Sequence, residues 1–255
     1  MSKSKKLESS SEPLPIVKLI PNLATIIGLC FGLFALKFAV AENPRWELAV
    51  GLIVIATFID GIDGRLARML NASSQFGAQL DSLTDFFNFG VAPALVLYLW
   101  MGHEIKGLGW AVTLFFIITQ ALRLARFNTS LGDEDHNDNY FYGVPAPCGA
   151  GLSLLPMIIT FFFNEHLGGE ALFEITPIMV IIYTALIATL MVSRVPTISV
   201  KKVVVQRKYA KIFLAFAGLF VVALVTEPWV SLPLMGIFYL STIPFSFFCY
   251  YRNKK

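Results

Sequence analysis

Charge is scarce in this chain: 15% of its 255 residues are Asp, Glu, Lys or Arg, while 56% are hydrophobic. A soluble domain carries about 25% charged and about 45–50% apolar residues. A single large soluble core is therefore excluded, and so is a disordered chain. Cysteine is also rare. Cys30, Cys148 and Cys249 have no metal-ligand spacing and each lies in or near an apolar stretch, so they read as small packing residues, not a disulfide scaffold. Histidine is limited to His103, His136 and His166, too scattered for a metal triad. The chain shows no internal repeat and no soluble segment longer than a loop.

Apolar runs fill the space that charge leaves. They fall at roughly 20–40, 48–66, 86–101, 108–125, 148–164, 176–193, 211–226 and 230–250, and the mean hydropathy is +0.68. Spans of about 20 residues each lead us to expect an all-α, polytopic membrane helix bundle with about eight transmembrane helices. The expected organisation is an N-terminal tail over residues 1–15, one membrane catalytic domain over 16–250 and a short tail over 251–255. The polar start, with Lys3, Lys5 and Lys6, does not resemble a cleaved signal, and the first apolar run reads as a first span.

The net charge of +3 belongs to residues between apolar runs and not to a basic domain, so no nucleic-acid partner is expected. With the N-terminus inside and an even number of crossings, the 20 Lys and Arg residues distribute unevenly. All except Lys37, Arg45 and Lys106 fall on the cytoplasmic side, including Lys18, Arg194, Lys201, Lys202 and the Arg252 tail. Both termini are then cytoplasmic. Trp46, Trp100, Trp110 and Trp229 fall near the opposite span ends, as an aromatic belt would. The basic stretch 201–208 has the pattern of a short interfacial element.

Four carboxylates stand out against this background: Asp60, Asp63, Asp81 and Asp85. Asp60 ends an uninterrupted apolar run, where an aspartate is costly unless it is paired, wet or bound to a cation. The first pair is spaced i,i+3 and the second i,i+4, so each pair shares one helical face. A reversal containing Asn71, Ser73, Ser74 and Gly77 would point both pairs at one place. Clustered anions near a low-dielectric medium repel strongly, and a divalent cation relieves this. Oxygen ligands suit Mg²⁺ or Mn²⁺, four carboxylates can clamp two such ions, and paired ions suit displacement at phosphorus. The competing explanation is an ion pathway or a salt-bridge network with Arg65 and Arg68. Gly61, Gly64, Ala67 and Gly77 keep the carboxylate faces thin, which suits either close ligand approach or helix packing. Arg68, one turn beyond Gly64, can meet a phosphate with its fork of donors.

The full spacing is Asp60-x2-Asp63-Gly64-x2-Ala67-Arg68-x8-Gly77-x3-Asp81-x3-Asp85. It resembles the signature of the CDP-alcohol phosphotransferase family without departure. The resemblance implies a site with two divalent cations, Mg²⁺ or Mn²⁺, in which all four aspartates take part. Asp85 corresponds to the residue that contacts metal and deprotonates the acceptor alcohol. Gly64, Arg68 and Gly77 correspond to the CDP-binding part. Pro21-Asn22-Leu23-Ala24-Thr25 matches the family pattern at the start of the first span and brings Asn22 and Thr25 toward the nucleotide.

Three further strings narrow the resemblance to the bacterial, integral-membrane branch of the family that accepts serine. They are Phe89-Gly90-Val91-Ala92-Pro93-Ala94, the string from Arg123 through Arg126 to Asn128, and Tyr142-Gly143-Val144-Pro145-Ala146-Pro147. The implied substrates are CDP-diacylglycerol and L-serine, among membrane lipids, in a homodimer of the bacterial inner membrane with its active site on the cytoplasmic side. Arg123 and Arg126 would hold the acceptor carboxylate or a lipid phosphate, and Asn128 would orient the polar head. Departures are an acidic stretch at 132–139 and Cys148 where a small residue is expected. Family members using glycerol 3-phosphate, inositol phosphate or choline are the nearest alternatives, and a cation or metabolite transporter is a remote one.

Overall fold

A computed structural model describes residues 16–130, 140–168, 175–193, 195–198 and 207–253. The N-terminal lysines, the acidic stretch at 132–139, Arg194, Lys201 and Lys202 lie outside the described residues, as do most of the basic stretch 201–208 and the last two residues.

Helix α1 (Ile20–Ala39) starts with Pro21 in its first turn, where the missing N–H costs nothing. It buries Pro21, Thr25, Gly28, Gly32, Ala35 and Ala39. That three-and-four spacing is one stripe of small residues, and it lies against antiparallel α2 (Trp46–Met69). α2 answers with Ala49, Val50, Ile53 and Ala56. Small residues on both sides let the two backbones approach closely, which is how helices gain contact in lipid.

The chain then reverses tightly. Ala72 N–H donates to Ala67 O at 2.9 Å and Asn71 N–H to Arg68 O at 3.3 Å, with Asn71 at φ +48°. These bonds form a Schellman cap, with asparagine supplying the left-handed residue. Ser74 caps the next helix, α3 (Gln75–Phe86), by accepting from Gly77 N–H at 3.0 Å. A π turn over Phe87–Val91 joins α3 to α4 (Ala92–Trp100), and α5 (Lys106–Ser130) returns.

A two-stranded antiparallel ribbon, β1 (Tyr140–Tyr142) with β2 (Pro196–Ile198), pairs Tyr140 with Ile198 and Tyr142 with Pro196. Gly143 follows at φ +82°, and its N–H donates to Val195 O at 2.8 Å. An added Cβ there would lie 2.6 Å from Met191 O, so the position demands glycine. Between and after the strands come α6 (Ala146–Ser153), α7 (Leu155–His166), α8 (Pro177–Val192), α9 (Ala210–Thr226) and α10 (Pro228–Asn253).

The helical class holds, but the expected count of spans does not. Among the described residues, four helices are long and apolar enough to cross a membrane: 17–39, 75–100, 102–129 and 228–246. A fifth is reached only if α6 and α7, bent by 46° at their junction, form one span. The apolar runs all become helix, yet hydropathy records apolarity and not length. α8 and α9 have 16 and 17 residues, or about 24–26 Å of helix, short of a hydrocarbon core of about 30 Å. α2 is long enough, but Glu47, Asp60, Asp63, Arg65 and Arg68 make it too charged to qualify.

Candidate active site

The Schellman turn and the Ser74 cap place the end of α2 beside the start of α3, so the two carboxylate pairs meet. Single oxygen atoms of Asp60, Asp63 and Asp81 lie within 4.8 Å of one another. Asp85, one turn along α3, stands outside that tight group and against Asp60. Asp63 is the most enclosed, at 3% exposure. Its Oδ2 accepts from Thr25 Oγ1 at 2.7 Å, which ties α1 to the site. Asp63 Oδ1 and Asp85 Oδ1 are buried with no hydrogen-bond partner among the described residues.

This arrangement tests the two explanations of the aspartates. Neither Arg65 nor Arg68 forms an ion pair with them among the described residues; the ion pair found there, His166 with Glu227 at 3.5 Å, is elsewhere. Among the described residues, then, no salt-bridge network relieves the repulsion. Converging carboxylates with orphaned oxygens, all hard donors and with no nitrogen or sulfur among them, fit a divalent cation of the Mg²⁺ or Mn²⁺ kind.

Beside the carboxylates opens a cavity of about 290 Å³. Asn22, Thr25, Gly64, Arg68 and Gly77, the residues singled out for the nucleotide, all line it, and Asp63 and Asp81 form its inner wall. A Cβ on Gly77 would sit 2.8 Å from Asn22 Oδ1 and 3.1 Å from Ser74 Oγ, so any side chain there displaces the wall. A Cβ on Gly64 would meet nothing within 4 Å. No protein contact enforces that glycine, and the open space in front of it is the cavity. Arg68 spends its Nε on Gly64 O at 3.1 Å, and its terminal nitrogens have no partner among the described residues.

The residues proposed for the acceptor part company. Arg123 is half-buried and lies in the neighbourhood of Asp85, Cys148 and Tyr239. It makes no ion pair within 4 Å among the described residues. Arg126 is exposed and donates through Nη2 to Val192 O at 3.2 Å, closing the end of α8. Asn128 donates from Nδ2 to Ser82 Oγ at 3.1 Å, holding α5 against α3 between the carboxylates Asp81 and Asp85.

Sequence reasoning missed a buried polar layer behind the site. Thr84 Oγ1 and both amide atoms of Asn88 and Gln120 are buried without partners among the described residues. Asn88 sits in the π turn, three residues past Asp85, and fills the space left by Gly32. Gln120 packs on Gly90, one turn from Arg123. The available signal was the presence of amides within apolar runs.

Comparison with known proteins agrees with this geometry. The model of the CDP-alcohol phosphatidyltransferase family matches residues 18–195, which takes in α1 through α8 and every aspartate. The chain belongs to this family. A second model, CDP-alcohol phosphatidyltransferase 2, matches residues 208–244. The chain is similar to the CDP-diacylglycerol–serine O-phosphatidyltransferase of Mycobacterium leprae, with 35% identity over 235 residues, covering 90% of this chain and 75% of that protein. It is similar to the proteins of the same name from Helicobacter pylori strain 26695, 34% identical over 81% of this chain and 83% of that one, and from Bacillus subtilis, 34% identical over 69% and 88%.

Proposed function

We infer that this chain transfers the phosphatidyl group of CDP-diacylglycerol to the hydroxyl of L-serine, giving phosphatidylserine and CMP. The observation that carries the chemistry is the meeting of Asp60, Asp63 and Asp81 at the wall of a cavity lined by Asn22, Gly64, Arg68 and Gly77. The acceptor follows from the shared name of the relatives.

Asp60, Asp63, Asp81 and Asp85 would hold two divalent cations, Mg²⁺ or Mn²⁺, which supply charge neutralisation for a diphosphate and its leaving group. Thr25 fixes the orientation of Asp63 through its hydrogen bond. Gly64 and Gly77 leave room for the nucleotide against the backbone, and Arg68 offers its terminal nitrogens, which have no partner among the described residues, to the diphosphate. Asp85 accepts the proton of the serine hydroxyl, whose oxygen forms the new bond to the phosphorus bearing diacylglycerol. The bond from that phosphorus to the oxygen of CMP breaks, and CMP leaves. Arg123, near Asp85 but in no ion pair within 4 Å among the described residues, binds the acceptor carboxylate.

The site belongs at the cytoplasmic face of a bacterial inner membrane. Lys18, Arg65, Arg68, Arg123 and Arg126 lie at the carboxylate end of their helices, whereas Lys37, Arg45 and Lys106 lie at the other end. That bias supports the orientation without any count of spans. The family resemblance also leads us to expect a homodimer, which light scattering in detergent tests.

The decisive experiment supplies purified protein in detergent with CDP-diacylglycerol, Mn²⁺ or Mg²⁺ and one acceptor at a time. Labelled serine entering a lipid product with matching CMP release, both stopped by EDTA, is the expected result. Product formed only with glycerol 3-phosphate, an inositol compound or choline would overturn serine as the acceptor. Folded protein that turns over none of them would overturn the transferase.

A further inference from the structure

Deeper in the bundle than the carboxylates lies a buried amide that the motif does not contain. Asn88 is 1% exposed, and neither its Oδ1 nor its Nδ2 has a hydrogen-bond partner among the described residues. Its place is set by α1, whose buried stripe of Thr25, Gly28 and Gly32 leads away from the site one turn at a time. Thr25, in the first of these turns, bonds Asp63. In the next, a Cβ on Gly28 would lie 3.4 Å from Ile59 Cγ2 and 3.8 Å from Asn88 Nδ2, so the amide nitrogen shares a layer with the residue before Asp60. In the third, a Cβ on Gly32 would collide with Asn88 Oδ1 and lie 3.1 Å from its Cγ. The amide therefore lies along α1 with its nitrogen toward the carboxylates and its oxygen away from them.

We propose that Asn88 is a positioning residue for Asp85: in the metal-loaded site its amide N–H donates to Asp85 Oδ1 and fixes how that carboxylate is turned. The assignment rests on the metal site proposed above. A buried amide without a partner costs free energy, and an apolar side chain of the same shape would fill the space without that cost. The amide is explained by a polar partner. Asp85 Oδ1 is buried and likewise without one among the described residues. Asp85 stands three residues before Asn88, the spacing that sets two side chains on one helical face. The π turn that carries Asn88 begins two residues after Asp85, and such turns recur at functional sites. A neutral donor suits this place, because it satisfies a carboxylate oxygen without adding a charge that competes with the cations. Helix α1 then serves both carboxylate pairs: Thr25 holds Asp63, and Gly28 and Gly32 seat the amide that holds Asp85.

Mn²⁺ binding to the purified full chain, followed by the electron paramagnetic resonance of the free ion, tests this without turnover. Asn88→Leu keeps the branched shape and removes the donor, and the Kd for Mn²⁺ should rise about 10- to 100-fold. Asn88→Ala should give the same weakening, which separates loss of the donor from overpacking by leucine. At saturating Mn²⁺ the kcat of both variants should fall about 10-fold or more, while the KM for serine stays within about threefold. Gly32→Ala drives the amide from its seat and should weaken Mn²⁺ binding as well. Added to Asn88→Ala, where the seat is free, it should change the Kd by less than about twofold, since both substitutions act through one group. A Kd within about threefold of wild type in both Asn88 variants overturns the assignment, and a lowered melting temperature with that unchanged Kd marks a packing role instead. Wild-type protein that binds no Mn²⁺ overturns the metal site itself, and this assignment with it.

Discussion

The two sides of the site are built in different ways. The donor side, with its carboxylates and cavity, comes mostly from one continuous stretch, the end of α2, the Schellman turn and the start of α3. The proposed acceptor side centres on Arg123, whose neighbours Asp85 and Cys148 come from other helices. A stretch whose geometry is set by helix periodicity and one turn is specified locally, and its residues keep their relation whatever the rest of the bundle does. A grouping drawn from separate helices depends on how the whole bundle closes. Damage should therefore be severe and local on the first side, graded and selective on the second.

The largest effect is expected from the carboxylates. Asp63→Asn or Asp81→Asn removes a charged ligand from a site that concentrates repulsion, and turnover should fall by about 1,000-fold or more, as several kcal/mol of charge stabilisation is lost. EDTA should do the same to the wild type and lower its melting temperature, since a ligand present at 100 times its Kd stabilises by about 2.7 kcal/mol. Activity kept within tenfold in either variant would mean that this side holds no metal. Gly77→Val comes next. Its side chain displaces Asn22 and Ser74 from the cavity wall, and a misplacement of about 1 Å costs about 100-fold in kcat/KM. The loss should fall on CDP-diacylglycerol and leave the serine KM alone.

The difference between the sides also explains how much could be read beforehand. The pairing of Asp60 with Asp63 and of Asp81 with Asp85 was recognisable, because an i,i+3 or i,i+4 spacing on a helix states which side chains share a face, whereas Asn22, Thr25, Gly64, Arg68 and Gly77, which line the cavity, were picked out by the family resemblance. The turn at Asn71 was visible in its residue types as well. The surroundings of Arg123 were not, because nothing in a run of apolar residues says which member of a distant helix will come near it. The number of spans failed for a related reason. Apolar character marked each helix, but the shortness of α8 and α9, the charged end of α2 and the break between α6 and α7 are matters of length and bend. Asn88 and Gln120 show a third kind of limit. Their burial, without partners among the described residues, follows from Gly32 and Gly90 making room on neighbouring elements.

Thr25→Val sharpens the comparison from the donor side. The hydroxyl supports Asp63 without touching substrate, so metal affinity should weaken about 10-fold or somewhat more. Excess Mn²⁺ should restore most of the activity, which distinguishes a supporting hydrogen bond from a broken fold. Titration of activity against free metal measures this directly. An unshifted curve would leave the Thr25–Asp63 bond without a role in metal binding.

The smallest effect separates two arginines that sit one helical turn apart. Arg123→Gln removes the cation beside Asp85, and the serine KM should rise about 10- to 100-fold, as expected when a charged hydrogen-bonding partner is lost. Arg126→Gln removes an exposed side chain whose Nη2 already donates to Val192 O. The glutamine amide can replace part of that hydrogen bond, and an exposed site is worth little electrostatically. The serine KM and the KM for CDP-diacylglycerol should both stay within about threefold. Equal losses at the two positions would mean that Arg126 leaves the α8 carbonyl when substrate binds and joins Arg123 on one anion. The pocket would then carry two cations, and its fit would shift from a carboxylate to a phosphate.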